Sequence, residues 1–167
     1  MKTICSLATL ALMAFSSASM AQTCASPTVL ASGASGVTGN SCVAPTGTGD
    51  GTLGNVCDNA QITGSTAVYT WTNNSNTTSG NITVTPTGWD AAIFIGTGAT
   101  CAASTAGFCT SSADAGGSGV AETLAVPASA TNTYYLFISS LAAANTCGAY
   151  SITAGTLPVK LQNFSIN

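Results

Sequence analysis

From Thr66 onward, short runs of apolar and polar positions alternate along the chain, broken by clusters of Gly, Pro, Asn and Ser. The runs are Ala67 to Thr72 (AVYTWT), Asn81 to Thr85 (NITVT), Ala92 to Ile95 (AIFI), Ala121 to Val126 (AETLAV), Thr133 to Ser139 (TYYLFIS), Tyr150 to Thr153 (YSIT) and Val159 to Phe164. Short runs rich in β-branched and aromatic residues and spaced by turn formers predict strands. Only the amino-terminal leader and Leu141 to Ala144 look helical. The pattern therefore predicts an all-β fold, an antiparallel β-sandwich.

Alternate residues of a strand point to opposite faces of its sheet, so each run also predicts a face. Ala67, Tyr69 and Trp71 share one face, and Val68, Thr70 and Thr72 the other. Ile93 and Ile95 line up for the core while Phe94 points away. Tyr134, Leu136 and Ile138 line one face while Tyr135 and Phe137 line the other. Phe94, Tyr135 and Phe137 are thus candidates for an apolar outer surface. Two readings stand side by side: a face that binds a partner or glycan, or a face covered by the amino-terminal segment or the glycine-rich loops, since large apolar patches are usually hidden in monomers.

Residues 22–64 are mostly Gly, Ser, Thr and Ala, with Val29, Leu30, Val37, Val43, Leu53 and Val56 as apolar anchors. A free linker of this composition would be disordered, yet three cysteines within it imply that it packs on the domain formed by residues 65–167. It is expected to hold one or two edge strands. At the other end, Leu157, Val159 and Leu161 alternate, and the register shifts at Gln162-Asn163 so that Phe164 and Ile166 continue the apolar set, a strand with a bulge. That strand either closes its own sandwich or completes a neighbour's sheet. Leu157 to Leu161 is not expected to be a cell-wall sorting signal, because it lacks the Thr-Gly pair of one.

Residues 1–21 read as a signal peptide rather than as part of the fold. Lys2 supplies a positive start, Ile4 to Phe15 is an apolar run too short to span a bilayer, and Ser19-Met20-Ala21 fits cleavage after Ala21. The residues before Cys24 fit a lipoprotein signal poorly. No later apolar stretch is long enough to cross a bilayer as a helix. The expected location is secreted or at the cell surface, and the short leader suits a bacterial export substrate. The sequons at Asn73, Asn76, Asn81 and Asn163 would matter only in a eukaryotic secretory pathway.

Charge changes the picture most. Only 4% of residues are Asp, Glu, Lys or Arg, against roughly 25% in an average soluble domain. There is no His. After cleavage, Lys160 stands against Asp50, Asp58, Asp90, Asp114 and Glu122, a net side-chain charge of −4. One cation cannot neutralise a run of phosphates, so nucleic acid is not an expected partner. A Ser or Thr nucleophile needs an adjacent base, and Lys160, between Val159 and Leu161, reads as a solvated strand position. Nothing in the spacing of the carboxylates brings a catalytic pair together. The expectation is a protein that is not an enzyme.

Six cysteines follow the leader: Cys24, Cys42, Cys57, Cys101, Cys109 and Cys147. An even number in an exported chain without His predicts three disulfides. Of the fifteen possible pairings, the expected one joins Cys101 to Cys109 and Cys42 to Cys57 across loops, and Cys24 to Cys147 between the amino end and a late strand. No cofactor is expected, although a structural calcium ion has weak candidates in Asp50, Asp58, Asp90 and Asp114, which lie among glycines and asparagines. None forms an EF-hand run, and turn-forming Asp side chains account for them equally well.

Tyr69 and Trp71, Asp90 with Ile93 and Ile95, Asp114, Tyr134-Tyr135-Leu136, and Gly148 with Tyr150 and Ile152 occur in an order that resembles the bacterial pre-peptidase C-terminal domain. The resemblance covers Ser65 to Gly155, rests on hydrophobic patterns, and departs where Ser65-Thr66 replace an acidic strand start. It implies a jelly-roll-like sandwich that assists secretion, stability or attachment of a secreted hydrolase without catalysing anything. The leading expectation is accordingly a non-catalytic binding or accessory module that attaches to a surface, polymer or partner protein. The alternative is a subunit that self-associates into a cell-surface filament or matrix. In either case Thr, Ser, Asn and Gly stand where charge is missing, so recognition should run through aromatic, hydroxyl and backbone contacts with weak dependence on salt.

Overall fold

The computed structural model describes residues 24–43, 65–72, 80–101, 109–127, 133–140, 147–155 and 157. The strands are β1 (Thr28–Val29), β2 (Ser35–Asn40), β3 (Ala67–Thr72), β4 (Asn81–Pro86), β5 (Ala92–Gly98), β6 (Cys109–Ala113), β7 (Glu122–Ala125), β8 (Thr133–Ser139) and β9 (Ala149–Ala154), with one turn of 3-10 helix at Ser41–Val43. They form two sheets packed as a sandwich. The first has the order β1-β3-β8-β5-β6 and the second β2-β9-β4-β7. Every pairing is antiparallel except the short β1 beside β3. Consecutive strands from β3 to β9 change sheet at each connection except β5 to β6, so sheet neighbours are distant in sequence.

The predicted strands β3 and β8 have the expected bounds, and β4, β5 and β9 run one to three residues longer. The amino-terminal segment supplies two edge strands, β1 and β2. Strand β6 (CTSSA) has no large apolar residue and so no hydrophobic signature; it exists because its backbone pairs with Ile93 to Gly96 of β5. The expected strand Val159 to Phe164 lies outside the described residues, as does the 1–21 leader. Leu157, just before that strand, is buried in the core, and its carbonyl accepts a 2.8 Å bond from the Ser32 hydroxyl.

Period-two alternation fills the space between the sheets. Ala67, Tyr69, Trp71, Ile93, Ile95, Tyr134, Leu136 and Ile138 from the first sheet meet Ile82, Val84, Leu124, Tyr150, Ile152 and Ala154 from the second. Buried hydroxyls need partners, and the Tyr69 and Tyr150 Oη atoms supply each other at 3.0 Å across the sandwich. Tyr150 lies against Gly39, where a Cβ would collide with its ring. Trp71 stacks on Tyr134 at 5.1 Å, and the Tyr134 hydroxyl donates to the Pro127 carbonyl at 2.5 Å.

The disulfides differ from the expected pairing. Cys42 is bonded to Cys147 and Cys24 to Cys101, so neither Cys24–Cys147, Cys42–Cys57 nor Cys101–Cys109 forms. The reason is tertiary. Asn40 of β2 pairs with Ala149 of β9, and stepping two residues further along that ladder sets Cys42 opposite Cys147, with Ser41 and Gly148 exchanging hydrogen bonds between them. Cys24 precedes β1 and Cys101 follows β5, strands separated by β3 and β8, so this bridge crosses the outer face of the first sheet. Cys109 is disulfide-bonded as well, and Cys57 lies outside the described residues. Disulfides indicate an oxidising compartment. Among the described residues no helix is long and apolar enough to cross a membrane.

Candidate functional site

The aromatic face expected on the outside of the first sheet is closed. Phe94, Tyr135 and Phe137 do share that face, together with Val68 and Ala92, but they are 2%, 7% and 1% exposed. Cys24, Cys101 and Cys109 pack against them. An open binding surface made of Phe94, Tyr135 and Phe137 is therefore corrected to a second, smaller core beneath the Cys24–Cys101 bridge. Hiding three aromatic rings from water is worth several kcal/mol, which is why the amino-terminal segment is tied down here rather than left loose. Every aromatic side chain among the described residues is buried.

The acids divide into two groups. Asp50 and Asp58 lie outside the described residues. Asp114 lies close enough to Asp90 and Glu122 to feel both: its carboxyl is pushed above the usual carboxylate range by partial burial, then by the charges of Asp90 and Glu122. Glu122 is 2% exposed, and its carboxylate accepts bonds from the backbone N–H groups of Ala115 at 3.1 Å and Gly116 at 2.6 Å. It latches the loop from Asp114 to Ala121 onto the end of β7. Bonds of this kind give a buried carboxyl group the partners that burial takes away. Period-two alternation places Glu122 on the inward face with Leu124, the signal by which sequence reasoning could have found it. Asp90 Oδ1 is buried with no hydrogen-bond partner among the described residues. Among those residues no group of three His, Cys, Asp or Glu side chains is arranged to hold a metal ion.

The open face is the outer side of the second sheet. Along β4 and β9 the buried residues alternate with outward positions: Asn81, Thr83 and Thr85 on one strand, Ala149, Ser151 and Thr153 on the other. Register joins these into rows. Thr123 of β7 pairs with Thr83, Thr83 with Thr153, and Thr153 with Ser35 of β2. In the adjacent row Thr85 pairs with Ser151 and Ser151 with Thr38. Seven side chains in two parallel rows therefore all carry a hydroxyl on Cβ. Thr83 and Ser151, in the two central strands, are half-buried, and the other five are exposed. The Thr83 and Thr123 hydroxyls are 2.8 Å apart and hydrogen-bonded. Among the described residues no ionisable side chain stands on this face.

Sequence reading left these residues unassigned. The polar positions of NITVT and YSIT were visible as alternation, but the adjacency of β4 and β9 and their register were not, and without them the hydroxyls do not form rows. Comparison with protein-family models, characterised proteins and solved structures found no match to the chain.

Proposed function

We propose that the chain is a secreted, non-catalytic attachment module that meets an uncharged, hydroxyl-bearing surface with the outer face of its second sheet. The observation that carries this reading is the pair of hydroxyl rows, Thr123-Thr83-Thr153-Ser35 and Thr85-Ser151-Thr38, on a face with no ionisable side chain among the described residues. Several further features support it. The leader-like residues 1–21 and the disulfides suit export. The resemblance of Ser65 to Gly155 to the pre-peptidase C-terminal domain suits an accessory role beside bacterial secreted proteins. Among the described carboxylates, Glu122 is taken up by backbone N–H groups and serves the fold.

Burial of the aromatic residues directs recognition toward hydroxyl contacts. A sugar-binding platform needs an exposed ring to stack on, and the described aromatic residues offer none. Each exposed hydroxyl exchange with water is worth only about 0.5–1.5 kcal/mol, so useful affinity requires many sites met together on an extended surface. The test is retention of the fluorescently labelled mature protein on a panel of solid surfaces at low and high salt. The panel comprises insoluble uncharged polysaccharides, isolated cell envelopes and ice. The expected result is salt-insensitive retention on at least one of them, lost in a Thr85→Lys/Thr153→Lys variant. Retention that is unchanged in that variant would overturn the assignment of this face. Size-exclusion chromatography at high concentration separates this reading from self-assembly, for which a stable monomer is the refuting result.

A further inference from the structure

Resting on that reading of the sheet face, we infer that the surface it fits is crystalline water, and that the protein binds ice. The argument begins from spacing. Neighbouring strands in a sheet are about 4.8 Å apart, and outward positions two residues apart on one strand repeat at about 6.7 Å. The block Thr83, Thr85, Ser151 and Thr153 therefore sets hydroxyl-bearing positions on a near-rectangular backbone grid, extended by Thr123, Ser35 and Thr38, with the Thr83 and Thr123 hydroxyls drawn together at 2.8 Å. Those two repeats lie close to the oxygen repeats of the prism faces of hexagonal ice.

Chemistry points the same way. Five of the seven residues are threonines, which set a hydroxyl and a methyl on a side chain held stiff at χ1. Their strands are fixed by ladders on both sides for β4 and β9, so little side-chain or backbone freedom remains to be lost on docking. A hydroxyl face gains little by exchanging liquid water for a soluble ligand, since the net value of each hydrogen bond is small. A rigid lattice engages the grid all at once. An ice plane is uncharged, and the face matches it in having no ionisable group among the described residues. The methyl groups give the lattice an apolar surface to lie against, while the hydroxyls continue its hydrogen bonding.

Sheet twist sets the size of the effect. Adjacent strands rotate by about 20–25°, so the match is best over β4 and β9 and degrades toward β2 and β7. A footprint of this size predicts slowed recrystallisation and a small thermal hysteresis gap.

The experiment uses the disulfide-intact mature protein, fluorescently labelled, with the Thr85→Lys/Thr153→Lys variant on the face and a Ser118→Lys variant in the exposed loop after β6. A Thr85→Ala/Thr153→Ala variant serves if the lysine variant fails to fold. Partition into slowly grown ice and thermal hysteresis are measured alongside retention on the other surfaces. The expected result is incorporation into ice and a measurable gap for the natural sequence and for Ser118→Lys, both lost in the face variant while its unfolding midpoint is unchanged. Exclusion from ice with no gap, but retention on another surface that depends on Thr85 and Thr153, overturns the ice inference and leaves the attachment reading standing. No retention anywhere overturns both. Ice binding that survives both face variants overturns the site.

Discussion

Replacing Cys42 and Cys147 together with serine removes the bridge that spans 105 residues. The chain-entropy view of a disulfide, in which it limits the unfolded ensemble, gives about 4.7 kcal/mol for closing a loop of that length. The Cys24–Cys101 bridge, which spans 77 residues and overlaps the first, lowers the figure, because it opens a shorter path from Cys42 back to Cys24, across the bridge and on from Cys101. That path is about 64 residues and corresponds to about 4.3 kcal/mol. Against a domain stability of about 5–15 kcal/mol, such a loss leaves the fold marginal. The measurement is guanidinium unfolding of the mature protein without reductant, followed by tryptophan fluorescence. The slope m should rise, because an unfolded chain with one crosslink fewer exposes more surface. A thiol count on Cys42→Ser alone should find Cys147 newly reactive. A loss below about 1 kcal/mol, the scale of an ordinary substitution, would refute the entropic argument, and a newly reactive Cys57 in place of Cys147 would refute the pairing.

Other expectations follow from burial and hydrogen bonding. Phe137→Ala, on the outer face of the first sheet, should cost about 3–5 kcal/mol in a denaturant melt, as for a core aromatic; a change within about 0.5 kcal/mol would mean that the face is open. Tyr150→Phe leaves the buried Tyr69 hydroxyl without its 3.0 Å partner and should cost about 1–3 kcal/mol, part of which the Tyr69→Phe/Tyr150→Phe double variant recovers. The Tyr150 phenol is held well above its ordinary value, first by burial and then by Tyr69. The unfolded chain therefore loses that proton first, and stability should fall as pH rises above about 10, with Tyr150→Phe flattening that limb. Asp114 has the same sign at the acid end: its folded carboxyl titrates above the unfolded value, so its ionisation opposes folding as pH rises through that window. Asp114→Asn should therefore be more stable than the natural protein at neutral pH, with the difference vanishing below the unfolded carboxylate range. A variant less stable at pH 7 would refute that account.

Much of the sandwich was legible because strand alternation is a local property. Tyr69, Ile93, Leu136 and Ile138 face the core in the structure as their positions in each run require, and Phe94 and Phe137 face away from it. A covered face was one of the two readings of the sequence, but which residues cover it was not legible. The cover is Cys24, Cys101 and Cys109, residues distant in sequence from β8 and brought over it by a disulfide. Strand β6 was missed for a related reason: Cys109 to Ala113 has no apolar signature and takes its conformation from β5 alongside.

The sequence by itself determined which residues alternate, how little charge the surface carries, and that cysteines rather than ion pairs would hold the ends. Each of these depends on neighbours within a few positions or on composition. Tertiary structure alone decided the disulfide pairing, the closure of the aromatic face and the assembly of hydroxyls into rows. The chain crosses between sheets at nearly every connection, so β4 lies beside β9 and β2 joins them from the far end of the sequence. Only that register turns the outward threonines and serines of separate strands into one surface.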